Sequence, residues 1–187
     1  MNNLEKLYFN KFGQSNDVKS LGWGSEYSQI KRFDTLLDIE GYDKDDSVLD
    51  VGCGYGDLSV FINDYTGIDL RATAIKKAIE KYPLKNFIIG DISNLEDNLY
   101  DWVFSSGIFC FKYRWKETTI FNIDKMYSIC KKGCAFNFLS YNTTGQKIKG
   151  MKYTRISEVV PIIESMTNRF TIRHDYLSND FTVYLYK

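Results

Sequence analysis

The sequence predicts a doubly wound α/β fold: a seven-stranded sheet, mostly parallel, closed by a C-terminal antiparallel hairpin. Three observations predict it. Apolar runs of strand length alternate with stretches of helical periodicity between residues 48 and 139, a glycine-rich turn follows the first of those runs, and two aromatic-rich alternating runs lie four residues apart within 170–186.

Tyr27, Ile30, Phe33 and Leu37 recur at helical spacing, which predicts an amphipathic helix over 25–39 with Gly24 or Ser25 at its N-cap. Val48 to Val51 reads as the first strand, Gly56 to Asn63 as a helix, and Tyr65 to Ile68 as a second strand ending at Asp69. Ala72, Ile75, Ala78, Ile79 and Tyr82 mark one face of the next helix, which Pro83 stops. Asn86 to Ile89 is a third strand closing near Asp91, and Trp102 to Ser105 a fourth. Phe121 to Cys130 is helical in period; Lys131 and Lys132 suit a helix C-terminus and Gly133 a stop, so a fifth strand is expected over Ala135 to Leu139. Ser157 to Met166 is another helix, in which Pro161 favours a kink or a later start. Phe170 to Tyr176 and Phe181 to Tyr186 make the hairpin.

The chain has 187 residues, 44% hydrophobic and 26% charged, with 2 prolines, which suits one domain that buries about 70% of its unfolded surface. A single domain over 1–187 is expected, with 1–40 as a helical cap or lid. The first residues carry no apolar signal region and no apolar run approaches the roughly 20 residues that span a bilayer, so a cytoplasmic protein without a membrane partner is expected. Its four cysteines are scattered, with no C-x-x-C, which suggests neither a zinc site nor a disulfide framework, and no metal is implied. A formal net charge of zero argues against a whole-surface nucleic-acid or membrane binder and leaves local patches open.

The chemistry concentrates in VLDVGCGYGDLSVFI, residues 48–62. Gly52 and Gly54 would let a ligand approach the backbone of a strand-to-helix turn, and Gly56 would let the helix pack closely. The dinucleotide fingerprint spaces its third glycine one residue further on. Asp50 would sit badly beside a pyrophosphate, but a carboxylate suits a ligand bearing an ammonium group.

These residues resemble a known family. D-x-G-x-G-x-G (Asp50 to Gly56), an acid closing the next strand (Asp69), G-D-I (Gly90 to Ile92) closing the third, and Tyr-Asp-Trp-Val-Phe opening the fourth are similar to the Rossmann-like class of S-adenosylmethionine (SAM)-dependent methyltransferases, in a bacterial small-molecule subgroup. The resemblance covers about residues 47–187. It implies SAM as cofactor, with Gly52 and Gly54 bordering its methionine part and Asp50 near its amino group. Asp69 would accept both ribose hydroxyls, Leu70 would pack on the adenine, Asp91 would accept from the adenine amine and the Ile92 amide would donate to the ring. Ser105 and Ser106 would lie beside the sulfonium. Tyr55 is either a pocket wall or a solvent-facing aromatic. The segment from Leu21 to Phe33 resembles the N-terminal region of the subgroup, with Trp23, Ser25, Gln29 and Arg32 as cofactor contacts if it folds over as a lid; the alternative is a surface helix anchored by Trp23.

A sulfonium is already an electrophile, so transfer mainly needs an incoming lone pair held in line, about 3 Å from the methyl. A base matters only for a protonated nucleophile, and the one histidine, His174, is a catalytic candidate whose alternative is a plain strand residue. Enzymes of this kind that methylate amino groups of nucleobases or glutamine often carry Asn or Asp, two prolines and an aromatic after the fourth strand; here stands Ser105-Ser-Gly-Ile-Phe-Cys-Phe. That favours a small-molecule acceptor held by Phe109 and Phe111. Basic residues follow the fourth strand (Lys112, Arg114, Lys116) and the fifth (Lys147, Lys149, Lys152, Arg155), so Arg114 and Lys152 are candidates to bind a carboxylate or phosphate of the acceptor. Nucleic acid or protein as acceptor, a non-catalytic cofactor-binding module, a nicotinamide-dependent oxidoreductase and plain solvated loop charge stay open, and the oligomeric state is not assigned.

Overall fold

A computed structural model describes residues 26–187. The predicted positions Trp23, Gly24 and Ser25 lie outside the described residues. Seven strands form one sheet in the order β3-β2-β1-β4-β5-β7-β6, with β7 antiparallel to both its neighbours. Along the chain come α1 (Glu26–Leu37), β1 (Val48–Val51), β2 (Tyr65–Asp69), α2 (Ala72–Lys81), β3 (Asn86–Ile89), β4 (Tyr100–Ser105), α3 (Trp115–Ile129), β5 (Cys130–Leu139), α4 (Ile156–Glu164), β6 (Phe170–Arg173) and β7 (Asp180–Tyr186). The sheet grows one way from β1 through β3 and the other way from β4, so the winding reverses between β1 and β4, the place where open α/β sheets bind ligands.

β1 is buried on both sides, as a central parallel strand must be. Leu49 and Val51 face a core built with Phe136, Ile123 and Val159, while Val48 faces a second core with Phe104, Ile75 and Leu36. Among the described residues, no helix is long and apolar enough to cross a membrane.

Four local expectations are corrected. In α1, Tyr27 and Ile30 are exposed and the buried face is Gln29, Arg32, Phe33 and Leu36; the two polar residues tolerate burial because each has a polar partner, Asp57 and Asp180 respectively. The expected helix over 56–63 is a short 3-10 turn, Asp57–Phe61, because Gly56 sits in the left-handed region (φ 76) and caps it, and the Ser59 amide bonds back to the Gly56 carbonyl. α3 starts at Trp115, six residues ahead of the expected Phe121, with the Trp115 indole donating to the Phe109 carbonyl and the buried ridge beginning at Thr119. Gly133 is not a helix stop. It lies within β5, where a Cβ would come 2.3 Å from the Leu185 carbonyl oxygen and 2.8 Å from the Trp102 ring.

Pro161 stands inside α4, which neither starts after it nor stops at it. In the hairpin β6 stops three residues earlier than expected and β7 starts one residue earlier, which leaves a connection of residues 174–179, and the strands pair from Phe170 opposite Leu185 to Arg173 opposite Thr182.

Candidate functional site

At the carboxyl ends of β1, β2, β3 and β4 lies a cavity of about 460 Å³. The turn after β1 forms its floor. The Gly52 and Cys53 amides both donate to the Ile68 carbonyl, and Gly52 has φ 74, a conformation that side chains disfavour; a Cβ there would strike Ile108 at 2.3 Å. The Gly54 amide donates to the Asp69 carboxylate at 3.0 Å, tying the turn to the end of β2.

Asp50 lies inside β1, with its carboxyl 2.8 Å from the donating Tyr65 hydroxyl. Burial, reinforced by the charges of Asp69 and Asp57 and opposed by the Tyr65 hydrogen bond, pushes its pKa up to about 7. Asp69 is also buried, and its oxygens accept from the Arg71 amide at 2.9 Å and from the Arg71 guanidinium at 3.2 and 3.3 Å. Asp91 is exposed and accepts from the Ser93 amide at 2.8 Å, turning the chain into the short 3-10 helix that begins with buried Ile92.

The cavity brings together Asp50, Gly52, Gly54, Asp69, Leu70, Asp91, Ile92, Ser106 and Phe109 of the sequence-predicted set, and also Gln29 and Arg32. Phe111 lines it as well, whereas Tyr55, Ser105, His174, Arg114 and Lys152 do not. Tyr55 is buried in the turn on the far side, its ring under the Lys77 ammonium at 5.0 Å. Ser105 is wholly buried and its hydroxyl donates to the Val51 carbonyl at 2.8 Å, which pins β4 to β1. His174 follows β6 and packs on the Phe181 ring at 5.9 Å, away from the cavity lining. Arg114 and Lys152 also fall outside the lining: Arg114 is exposed ahead of α3, and Lys152 pairs with Glu158 while resting on the Trp115 ring.

Asn137 and Asp180, which also line the cavity, were not singled out from the sequence. Asn137, in the middle of apolar β5, accepts from the Gly107 amide at 3.0 Å and donates to the Ser106 hydroxyl at 2.9 Å, so it orients the turn after β4. A lone amide inside an aromatic strand, Phe136-Asn137-Phe138, is the signal that could have found it. Asp180 heads β7, where it is almost completely buried against Arg32 and Tyr176; burial raises its pKa to about 6 although both partners oppose the rise.

Charge is divided unevenly within the cavity. The ends of β1, β2 and β3 contribute Asp50, Asp69 and Asp91, whereas the segments after β4 and β5 contribute neutral side chains, Phe109, Phe111, Trp115, Met151 and Tyr153 among them. The acidic half can hold a cation and accept from hydroxyls or amines; the aromatic half can hold an apolar, planar body.

Residues 42–169 match the family model described as a methyltransferase domain. A protein of Mycobacterium tuberculosis named as a methyltransferase is 24% identical over 156 residues, covering 75% of this chain and 93% of that protein. The structure of magnesium protoporphyrin IX methyltransferase from Synechocystis PCC 6803, with bound SAM, superposes with a TM-score of 0.68 at 16% identity over 100% of this chain and 98% of that one. The plantazolicin methyltransferase structure, in complex with a desmethyl analogue and SAH, gives a TM-score of 0.69 at 15% identity, covering 98% and 95%. At such identities these likenesses concern the fold.

Proposed function

The chain belongs to the methyltransferase-domain family, whose methyl donor is SAM, and on that premise we propose that it methylates a small-molecule acceptor, with the donor in the acidic half of the cavity and the acceptor in the aromatic half. One observation carries the reading: Asp50, Asp69 and Asp91, at the ends of three successive parallel strands, converge on one cavity around the glycine turn. That donor set fits SAM, which brings an ammonium, a ribose diol and an adenine amine, and fits a pyrophosphate poorly.

SAM supplies a methyl group on a sulfonium that any well-placed lone pair can take. The protein's own part is placement. Asp69 is oriented by the Gly54 and Arg71 amides, and its two longer bonds from the Arg71 guanidinium, at 3.2 and 3.3 Å, would give way to a diol, while Asp50 offers a carboxylate that an ammonium would draw back to its ionised form. Asp91 and the Ile92 amide would read the adenine, Leu70 would cover it, and Ser106, oriented by Asn137, would lie nearest the sulfonium. Ser105 serves as a strand clamp rather than a contact. The aromatic half brings no carboxylate or imidazole from the segments after β4 and β5, so the acceptor would present an atom whose lone pair is already available near neutral pH.

Calorimetry with S-adenosylhomocysteine (SAH) and with NAD tests this. SAH should bind with a Kd of about 1–100 μM, and Asp69→Ala should weaken it by at least tenfold through loss of two charge-assisted hydrogen bonds. Binding of NAD without SAH, or an unchanged SAH affinity in a folded Asp69→Ala variant, would overturn the reading.

A further inference from the structure

We infer that the acceptor is a planar, mainly apolar molecule carrying one anionic group, its ring system lying against Phe111, Trp115 and Tyr153 and its anion held at the cavity mouth by Arg114 and Lys147. This rests on the reading that places the methyl donor in the acidic half.

The segments after β4 and β5 are built as one wall. Phe111 and Met151 form an antiparallel bridge, and the Lys152 amide donates to the Cys110 carbonyl at 2.8 Å. The side chains this wall gives to the cavity are neutral, and four of them, Phe109, Phe111, Trp115 and Tyr153, are aromatic. Cations crowd the residues between them. Lys152 sits 4.3 Å above the Trp115 ring and Lys147 lies 5.6 Å from the Tyr153 ring, so both ammonium groups are fixed on rings that line the cavity. Lys147 and Arg155 also flank Tyr141, each 3.5 Å from its ring centre. Lys112, Arg114 and Lys116 are exposed on the neighbouring segment.

The excess of charge here is local, because the chain has 24 basic and 24 acidic residues in total. Lys152 is neutralised by Glu158, but Lys112, Arg114, Lys116 and Lys147 form no ion pair among the described residues. Arg114 in addition holds a left-handed backbone (φ 44), which glycine would adopt at lower cost, so the fold keeps a guanidinium at a strained position one residue ahead of the cavity-lining Trp115. An anion buried in the neutral aromatic half would lose its hydration without a partner, whereas the same anion at the mouth meets unpaired cations and stays partly hydrated. The pattern therefore matches an amphiphile, ring inward and charge outward.

The test compares 2-naphthoate with 2-naphthamide, two probes of one shape that differ in charge, by calorimetry on the protein saturated with SAH and on the free protein. Naphthoate should bind about tenfold more tightly than the amide in dilute buffer of ~10 mM salt and lose most of that margin near 0.5 M, where screening is short-ranged. The pair Arg114→Gly and Lys147→Glu should remove the margin while naphthamide and SAH bind as before, and Arg114→Gly alone should raise the melting temperature, which separates a charge role from a structural one. Phe111→Ala should weaken both probes together. Equal binding of the two probes, or a margin that survives the double variant, would overturn the proposal. So would tighter binding of a 12-nucleotide single strand that displaces naphthamide with a steep salt slope, which would make the wall a nucleic-acid surface. Failure of SAH to bind would strike the donor reading alone, because the acid-to-amide ratio on the free protein still decides this one.

Discussion

Arg32 of α1 and Asp180 at the head of β7, 148 residues apart in sequence, meet in a buried ion pair with a 2.6 Å separation. Tyr176 donates to the other carboxylate oxygen, and the Tyr184 hydroxyl of the same strand donates to the Thr35 carbonyl of the same helix. The helix is thereby fastened to the far side of the sheet at the edge of the cavity. Removing one partner leaves a buried charge alone, so Arg32→Met should cost about 3 kcal/mol, and adding Asp180→Asn should recover part of it. Urea unfolding of the single and double variants reads both quantities.

Asp50 gives a pH signature. Its raised pKa means the fold favours the neutral acid, so the stability associated with it is full below the ordinary value of 3.8 and is lost as pH climbs toward about 7. Asp50→Asn should therefore be more stable than the native protein at pH 8, by ~2–4 kcal/mol, with the gain fading toward pH 4. Ligand affinity should run the opposite way: SAH binding to the native protein strengthens as pH rises to about 7 and takes up no proton at pH 8, while the variant binds weakly with a flat profile. Denaturation and calorimetry at both pH values check the two halves.

Gly52→Ala adds a methyl 2.3 Å from Ile108 at a backbone φ of 74. It should destabilise the fold by about 1–3 kcal/mol and weaken SAH binding as the turn shifts. Adding Ile108→Ala should relieve the contact and not the backbone strain, so only part of the loss returns; full recovery in thermal melts would show that the positive φ carries no cost.

Ser105 and Ser106 are neighbours with opposite duties. Ser105→Ala leaves the buried Val51 carbonyl without its 2.8 Å donor and should lower stability by ~1–2 kcal/mol with little change in SAH affinity. Ser106→Ala should do the reverse, sparing stability and lowering affinity several-fold. A melting curve beside a binding isotherm for each variant separates them.

The three acids were legible because Asp69 and Asp91 close apolar runs and Asp50 interrupts one just ahead of the glycine turn, and strand direction in a parallel sheet then carries all three to one edge. What local pattern could not supply was long-range pairing. Gln29 and Arg32 look like the wet side of a helix until Asp57 and Asp180 are brought to them, so the apolar residues Tyr27 and Ile30 misdirected the expected face. Gly133 imitates a helix stop for the same reason: the crowding that demands glycine comes from Leu185 and Trp102, residues distant in sequence. Arg114 and Lys152 follow strands that end at the ligand edge, but the fold leaves both out of the cavity lining, Arg114 exposed and Lys152 resting on the Trp115 ring.

The insertion of β7 between β5 and β6 has a bearing on how the molecule is born. β6 leaves the ribosome earlier than β7, yet among the described residues β7 is its sole strand neighbour in the sheet, so β6 must wait for the following residues before it can dock. At a synthesis rate of about 5–20 residues per second, the parallel strands and their acids can assemble first, while Asp180 and its clasp on α1 arrive seconds later. A nascent chain halted ahead of Asp180 would thus expose the aromatic flank of β5, a surface that chaperones are suited to shield.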